Sequence, residues 1–168
     1  MTLQQLLDSR DARAARQRDL LRAFPTSTLV CLTVQLPGPV KRNASSLLIG
    51  GAGLAALLDK FGSILQHAQV KDLETGYEAY LLVPLPPATV KRICCEIEDT
   101  HPLGRLMDID VPGRDRASLG LPPRKCLLCD NEVRYCMRAR THSTEELLVR
   151  IDEMIHTYLT YGIQKINE

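Results

Sequence analysis

Apolar residues recur along the chain in two rhythms, one helical and one strand-like, and their order sets the expected fold. Leu3, Leu6, Leu7, Ala14, Leu21 and Phe24 fall at roughly helical spacing and predict a helix over 2–23, opened by a Thr2/Gln5 capping box. Its arginines, Arg10, Arg13, Arg16, Arg18 and Arg22, suit a solvated face or an anion site. "STLVCLTVQL" (27–36) is β-branched and apolar, and predicts a central strand closed by the rigid turn of Pro37, Gly38 and Pro39. Residues 45–62 predict a helix despite Gly50, Gly51 and Gly53. No Gly-Lys-Ser/Thr follows these glycines, so they read as sites of close helix packing rather than a phosphate loop. Residues 64–85 divide into two short strands around Thr75-Gly76, with His67 as a structural residue. Residues 86–101 begin with proline and continue as a helix, with Ile93, Cys94 and Ile97 on its apolar face. Glu96, Glu98 and Asp99 read as its solvated face, from which one carboxylate could also serve the strand that follows. Residues 143–166 form a terminal helix with a Ser143/Glu146 capping box and Leu147, Ile151, Met154, Ile155 and Leu159 on one face. This order predicts one α+β domain over 1–168, a mixed β-sheet packed by helices, with a C-terminal helical segment.

One strand departs from the pattern. "GRLMDIDV" (104–111) sets two aspartates among apolar residues. Side chains alternate along a strand, so Asp108 and Asp110 share one face while Met107, Ile109 and Val111 line the other. Two neighbouring like charges need something positive between them: Arg105, water or a divalent metal ion. Paired carboxylates at this spacing suit Mg²⁺ with a phosphate-bearing substrate. They equally suit an edge strand with a solvated acidic face.

Composition narrows the choice. The chain has 168 residues, 45% hydrophobic and 24% charged, enough for one domain with a core. A net charge of +1, two Phe, five Tyr and no Trp give no nucleic-acid signal. No apolar run is read as spanning a bilayer, and the arginine-rich start resembles neither signal nor transit peptide. Six cysteines in such a chain read as reduced thiols or metal ligands, so a soluble cytoplasmic domain is expected.

The second half concentrates the remaining chemistry. Cys126, Cys129, Cys136 and His142 have the spacing of a Cys₃His zinc set. On one unbroken helix, Cys126 and Cys136 would lie about 15 Å apart, so zinc requires a chain break near Asp130-Asn131. Without the break the same thiols are packed small residues. From Arg114 to His142, seven Lys or Arg face three Asp or Glu. The group Arg105, Arg114, Arg116, Arg124, Lys125, Arg134, Arg138 and Arg140 suits either phosphate binding or surface solubility.

"LTVQLPGPVK", "HPLGRLMDIDV", "LGLPPRKCLLC" and "CMRARTHSTEELL" together resemble the CitX family, the apo-citrate lyase phosphoribosyl-dephospho-CoA transferases, in order and near spacing. The resemblance runs from "SRDARAARQ" to the terminal helix. It implies a nucleotidyltransferase-like domain that takes 2′-(5″-triphosphoribosyl)-3′-dephospho-CoA. The phosphoribosyl-dephospho-CoA part would pass to a serine of the citrate lyase acyl carrier protein (gamma chain), with release of pyrophosphate. In that frame Asp108, Asp110 and Arg105 are the expected catalytic residues, the two aspartates holding Mg²⁺. Lys41, Arg124, Arg138 and Arg140 are the expected substrate-binding residues. Cysteine and histidine spacing matches the family pattern, keeping structural Zn²⁺ open beside packed thiols. One departure is visible: only "PGRDRAS" stands where the family has a longer turn, so no role transfers to Arg114 or Arg116. Two other readings stand beside this one. The first is a non-catalytic, zinc-stabilised module docking an acidic carrier protein. The second is a related transferase for the malonate decarboxylase carrier protein, which the CitX-like motifs disfavour.

Overall fold

A computed structural model describes residues 2–166, and within them every side chain except those of residues 3, 6 and 163–166. The Leu3 and Leu6 positions of the expected helix face lie outside the described side chains. The elements are α1 (Leu3–Ala23), β1 (Thr28–Val34), α2 (Ala44–Phe61), β2 (His67–Leu73), β3 (Gly76–Val83), α3 (Pro87–Thr100), β4 (Met107–Asp110), α4 (Val133–Ala139) and α5 (Thr144–Ile166). Both expected capping boxes form. Gln5 N–H donates to Thr2 Oγ1 at 3.2 Å and Thr2 N–H to Gln5 Oε1 at 2.8 Å. Ser143 N–H donates to Glu146 Oε2 at 2.7 Å, and Glu146 N–H to Ser143 Oγ at 3.1 Å.

The four strands run in the order β2-β3-β1-β4. The domain is α+β, but its sheet is antiparallel at every pairing rather than mixed. The reason lies in the connections. Helix α2 links β1 to β2 and helix α3 links β3 to β4, and such crossovers normally make parallel neighbours. Here a third strand is inserted between each linked pair, giving the split β-α-β arrangement.

β1 is central and buried on both faces, which explains its nearly continuous apolar sequence. Val30 and Leu32 face a core that includes Ile49, Leu57 and Phe61 of α2 and Val90, Cys94 and Ile97 of α3. Leu29 and Cys31 face the other way, with Tyr80 and Leu82, against Leu20 and Phe24. Two glycines of α2 let it approach the sheet. A Cβ on Gly50 would stand 2.4 Å from the Tyr77 ring, and one on Gly53 would stand 3.0 Å from Leu32. The segment Ala44–Ile64 is long and apolar enough to cross a membrane, contrary to the expectation from sequence. In the fold its glycine-lined face packs on the sheet. On α5 the inward stripe is Ile151, Met154, Ile155 and Tyr158, while Leu159 is exposed.

The two faces of the sheet are unequally covered. α1 reaches β2 and β3 through Ser9–Thr75, Arg13–Glu78 and Arg16–Gln69 hydrogen bonds. The outward side of β4, on the same face, is left to the segment that follows it.

Candidate active site

The acidic strand is held from three directions. Asp108 pairs with Thr33 and Asp110 with Cys31, which sets both carboxylates on the α1 side of the sheet. Ile109 and Met107 point into the core, fully buried. Before the strand, a 3-10 turn at Gly104–Leu106 presses against the end of α3. A Cβ on Gly104 would lie 2.5 Å from the Ile97 carbonyl oxygen, so only glycine fits there. Along its outer edge, β4 has a backbone N–H and C=O at Ile109 that no strand can satisfy. Glu98 Oε1 accepts from the Ile109 N–H at 2.8 Å, and Lys91 Nζ donates to the Ile109 carbonyl at 2.7 Å. These two α3 side chains are 2% and 4% exposed. Glu98 is therefore not on a solvated face: Lys91, Cys94, Cys95 and Glu98 share the inward stripe at i, i+3, i+4 and i+7.

Beyond this edge opens a pocket of about 240 Å³, lined by Lys91, Glu98, Asp108, Asp110, Arg116 and Arg124 among others. Arg124 Nη1 stands 3.6 Å from Glu98 Oε1 and 3.8 Å from Asp108 Oδ1. Its Nη2 donates to the carbonyls of Arg105 at 3.0 Å and Gly104 at 3.3 Å. Arg116 Nη2 donates to Asp99 Oδ2 at 2.7 Å, and Nη1 approaches Glu98 Oε2 at 3.5 Å. Lys91 Nζ lies 3.5 Å from Asp110 Oδ1, and Gln35 Nε2 donates to Asp108 Oδ2 at 3.0 Å. The positive groups beside the paired aspartates are thus Arg124 and Lys91. Burial and the neighbouring Asp110 charge push the Asp108 carboxyl above its ordinary range, against the pull of Arg124 and Gln35. Glu98 is raised too, by burial that outweighs Arg124, the Ile109 N–H and Lys91.

The structure distributes the other expected residues. Arg105 does not join the aspartates. It belongs to the 3-10 turn, where strand alternation does not apply, and lines a separate depression with Cys126 and Cys129. Lys41 lies in a cleft between α1 and the β2–β3 hairpin and donates to the Leu36 carbonyl, with burial lowering its pKa. Arg138 lines an exposed hollow on α4, and Arg140 ends that helix in a left-handed conformation, φ 49°. Of the candidate substrate-binding group, only Arg124 lines the pocket of the aspartates. Lys91 lines it, and Gln35 reaches it through Asp108, without having been singled out; Glu98, one of three carboxylates that could serve the strand, and Arg116 of the arginine group line it as well. A charged pair at i and i+7 on the cysteine-bearing face of 86–101 is the signal that marks Lys91 and Glu98.

The chain also breaks where zinc spacing required. Cys126 N–H donates to the Asn131 carbonyl at 2.7 Å, and α4 starts only at Val133. Cys126, Cys129, Cys136 and His142 consequently bring one ligand atom each within 4.8 Å of all the others.

Known proteins resemble the chain over nearly its whole length. A family model described as "CitX: Apo-citrate lyase phosphoribosyl-dephospho-CoA transferase" matches residues 1–158. A protein of Vibrio cholerae serotype O1 (strain M66-2), named probable apo-citrate lyase phosphoribosyl-dephospho-CoA transferase, is 40% identical over 167 residues, covering 94% of this chain and 93% of its own. An Escherichia coli O1:K1 / APEC protein named apo-citrate lyase phosphoribosyl-dephospho-CoA transferase is 38% identical, covering 93% of this chain and 89% of its own. A Streptococcus pyogenes serotype M18 relative, also named as a probable transferase of this kind, is 35% identical, covering 93% and 86%. With the match spanning nearly its whole length, the chain belongs to the CitX family of apo-citrate lyase phosphoribosyl-dephospho-CoA transferases.

Proposed function

We propose that this chain is a transferase acting on apo-citrate lyase, and that it moves phosphoribosyl-dephospho-CoA from 2′-(5″-triphosphoribosyl)-3′-dephospho-CoA to a serine of the acyl carrier protein. The names carried by the relatives support the transferase and its apo-citrate lyase target. The observation that carries the chemistry is the placement of Asp108 and Asp110 on one face of β4, at a pocket walled by Lys91, Arg116 and Arg124. In this reading the serine Oγ attacks the phosphorus nearest the ribose. A new P–O bond forms, the bridge to the next phosphate breaks, and pyrophosphate leaves with its electron pair while the serine proton passes to solvent or base.

Asp108 and Asp110 would hold Mg²⁺, whose chemistry is to neutralise the triphosphate and polarise the attacked phosphorus. Arg124 holds two backbone carbonyls with Nη2, but its Nη1 stands beyond hydrogen-bond distance of either carboxylate, leaving N–H capacity for a phosphate oxygen. Lys91 spends one N–H on Ile109 and keeps two for the pocket. Arg116 is tied to Asp99 and the Pro122 carbonyl and acts as a fixed positive wall. Arg105, Lys41, Arg138 and Arg140 do not line this pocket.

The test is incubation with apo-carrier protein, the triphosphoribosyl precursor and Mg²⁺, followed by intact-mass measurement of the carrier. A mass gain equal to the phosphoribosyl-dephospho-CoA group is expected, and Asp108→Asn or Asp110→Asn should abolish it. Normal modification by both variants would sink the mechanism. Tight carrier binding without any adduct would favour a docking module.

A further inference from the structure

Three cysteines and a histidine that the transfer chemistry does not use meet on the loop behind Arg124. Cys129 Sγ lies 3.5 Å from Cys136 Sγ and 3.3 Å from His142 Nε2. A disulfide would need about 2.05 Å, so these sulfurs are close without being joined. Around a tetrahedral Zn²⁺ with bonds of about 2.3 Å to sulfur and about 2.0–2.1 Å to nitrogen, ligand atoms stand roughly 3.6–3.8 Å apart. These two separations differ from that by only a few tenths of an ångström, and all four ligand atoms lie within 4.8 Å of one another.

The alternative of packed thiols fits poorly. Cys31, Cys94 and Cys95 show what packed thiols look like in this fold, at 4%, 0% and 1% exposure. Cys126, Cys129 and His142 are only half-buried. The backbone moreover turns twice to bring the four together. Cys126–Asn131 and Arg124–Val133 hydrogen bonds close a hairpin, and the left-handed Arg140 lets Thr141 N–H bond back to Cys136 O and return the chain to His142.

Arg105 supplies a second, independent observation. Its Nε is buried without a hydrogen-bond partner, among the described residues, and its side chain lines the same depression as Cys126 and Cys129. Zinc held by three thiolates and a neutral imidazole keeps one net negative charge, and it would stand beside a guanidinium that makes no close ion pair among the described residues. Thiolate-rich tetrahedral sets select zinc over the hard cations that suit Asp108 and Asp110.

We propose that Cys126, Cys129, Cys136 and His142 hold one structural Zn²⁺, which locks the hairpin so that Arg124 is fixed against the Asp108 pocket. Arg105 is then a positioning residue of the metal centre rather than a phosphate ligand. The clause on Arg124 rests on the proposed function; the metal itself does not.

The experiment starts with tag-free full-length protein from zinc-supplemented medium. Metal analysis should find one zinc per chain. Replacement by Co²⁺ should give thiolate charge-transfer bands in the near ultraviolet and intense tetrahedral d–d bands in the visible. Protein with no stoichiometric metal and no such cobalt spectrum overturns the site. Cys136→Ser should lose the metal. Because that variant also risks misfolding, His142→Cys provides a second reading: it should still bind one metal, with stronger charge-transfer absorption. An unchanged cobalt spectrum in His142→Cys removes His142 from the ligand set. Chelation should lower carrier modification at least tenfold, with recovery on adding Zn²⁺ back. Full activity, with Mg²⁺ present, in demonstrably zinc-free protein overturns the link to Arg124 while leaving the transfer reaction intact. Arg105→Leu should speed zinc loss to a chelator about tenfold with little change in KM for the precursor, whereas a large KM rise with normal zinc retention would return Arg105 to substrate binding.

Discussion

Two buried glutamates, one beneath α1 and one at the outer edge of β4, are handled in opposite ways. Glu78 on β3 is closed off: Arg13 bonds it at 2.7 Å and 2.9 Å, and the Tyr80 hydroxyl donates to its other oxygen. One positive and one negative charge meet there, and each carboxylate oxygen of Glu78 has a hydrogen-bond donor within the group. Glu98 on α3 is left loosely paired. Its two arginines stand at 3.5 Å and 3.6 Å, one of them shared with Asp99 and the other with Asp108. Two more carboxylates lie beside it, Asp108 at 35% and Asp110 at 65% side-chain exposure. A buried ion pair with every partner in place holds a fold together, whereas one that leaves donors and acceptors open to a pocket is arranged for something that arrives.

That contrast can be broken by experiment. The largest effect expected is on rate: Asp108→Asn or Asp110→Asn should slow carrier modification by about 10³-fold, roughly 4 kcal/mol of lost transition-state stabilisation. Mass spectrometry of the carrier under single-turnover conditions reads this directly. Next, Glu78→Ala should leave the rate alone but cost about 3 kcal/mol of stability, because Arg13 and Tyr80 lose a shared partner. Thermal unfolding should show it as a fall of several degrees; an equal loss of rate would mean that the two glutamates are not different in kind. Arg124→Lys keeps the charge and loses the planar fork, so a drop of 10- to 100-fold in kcat/KM is expected with little change in Tm. The smallest effect separates fold from function at a single atom. Folded Asp108 holds its proton to higher pH than an ordinary carboxyl, so its ionised form costs stability above that range. Asp108→Asn should therefore raise Tm by about 1–3 °C at neutral pH, and the gain should vanish as pH falls below the ordinary aspartate range. Millimolar Mg²⁺ should narrow the gap by stabilising the native chain alone.

The elements were largely readable in the sequence because their signals are local. Capping pairs Thr2/Gln5 and Ser143/Glu146, the proline opening 86–101 and the β-branched run at 27–36 each act within a few residues. The shared face of Asp108 and Asp110 followed from strand alternation alone. What escaped was set by neighbours distant in the chain. Glu98 resembled a solvated acid until the unpaired Ile109 backbone appeared opposite it. Arg105 sat one residue outside Leu106, close enough to the strand to suggest its chemistry, yet the 3-10 turn aims it elsewhere. Strand order was equally hidden, since helix-linked strands do not announce that another strand will come between them.

Lys91 and Glu98 also have a consequence for how this molecule meets others. An open sheet has two margins, and a bare margin invites a foreign strand, whether from a partner or from an aggregating copy. At β4 the outward-facing amide and carbonyl of Ile109 are already spoken for by side chains almost wholly inside the protein. A newcomer would have to evict two buried ions to zip along that side. Strand addition is therefore directed to β2, on the far margin of the sheet, and whatever reaches Asp108 and Asp110 must arrive as a loop or helix end rather than as a strand.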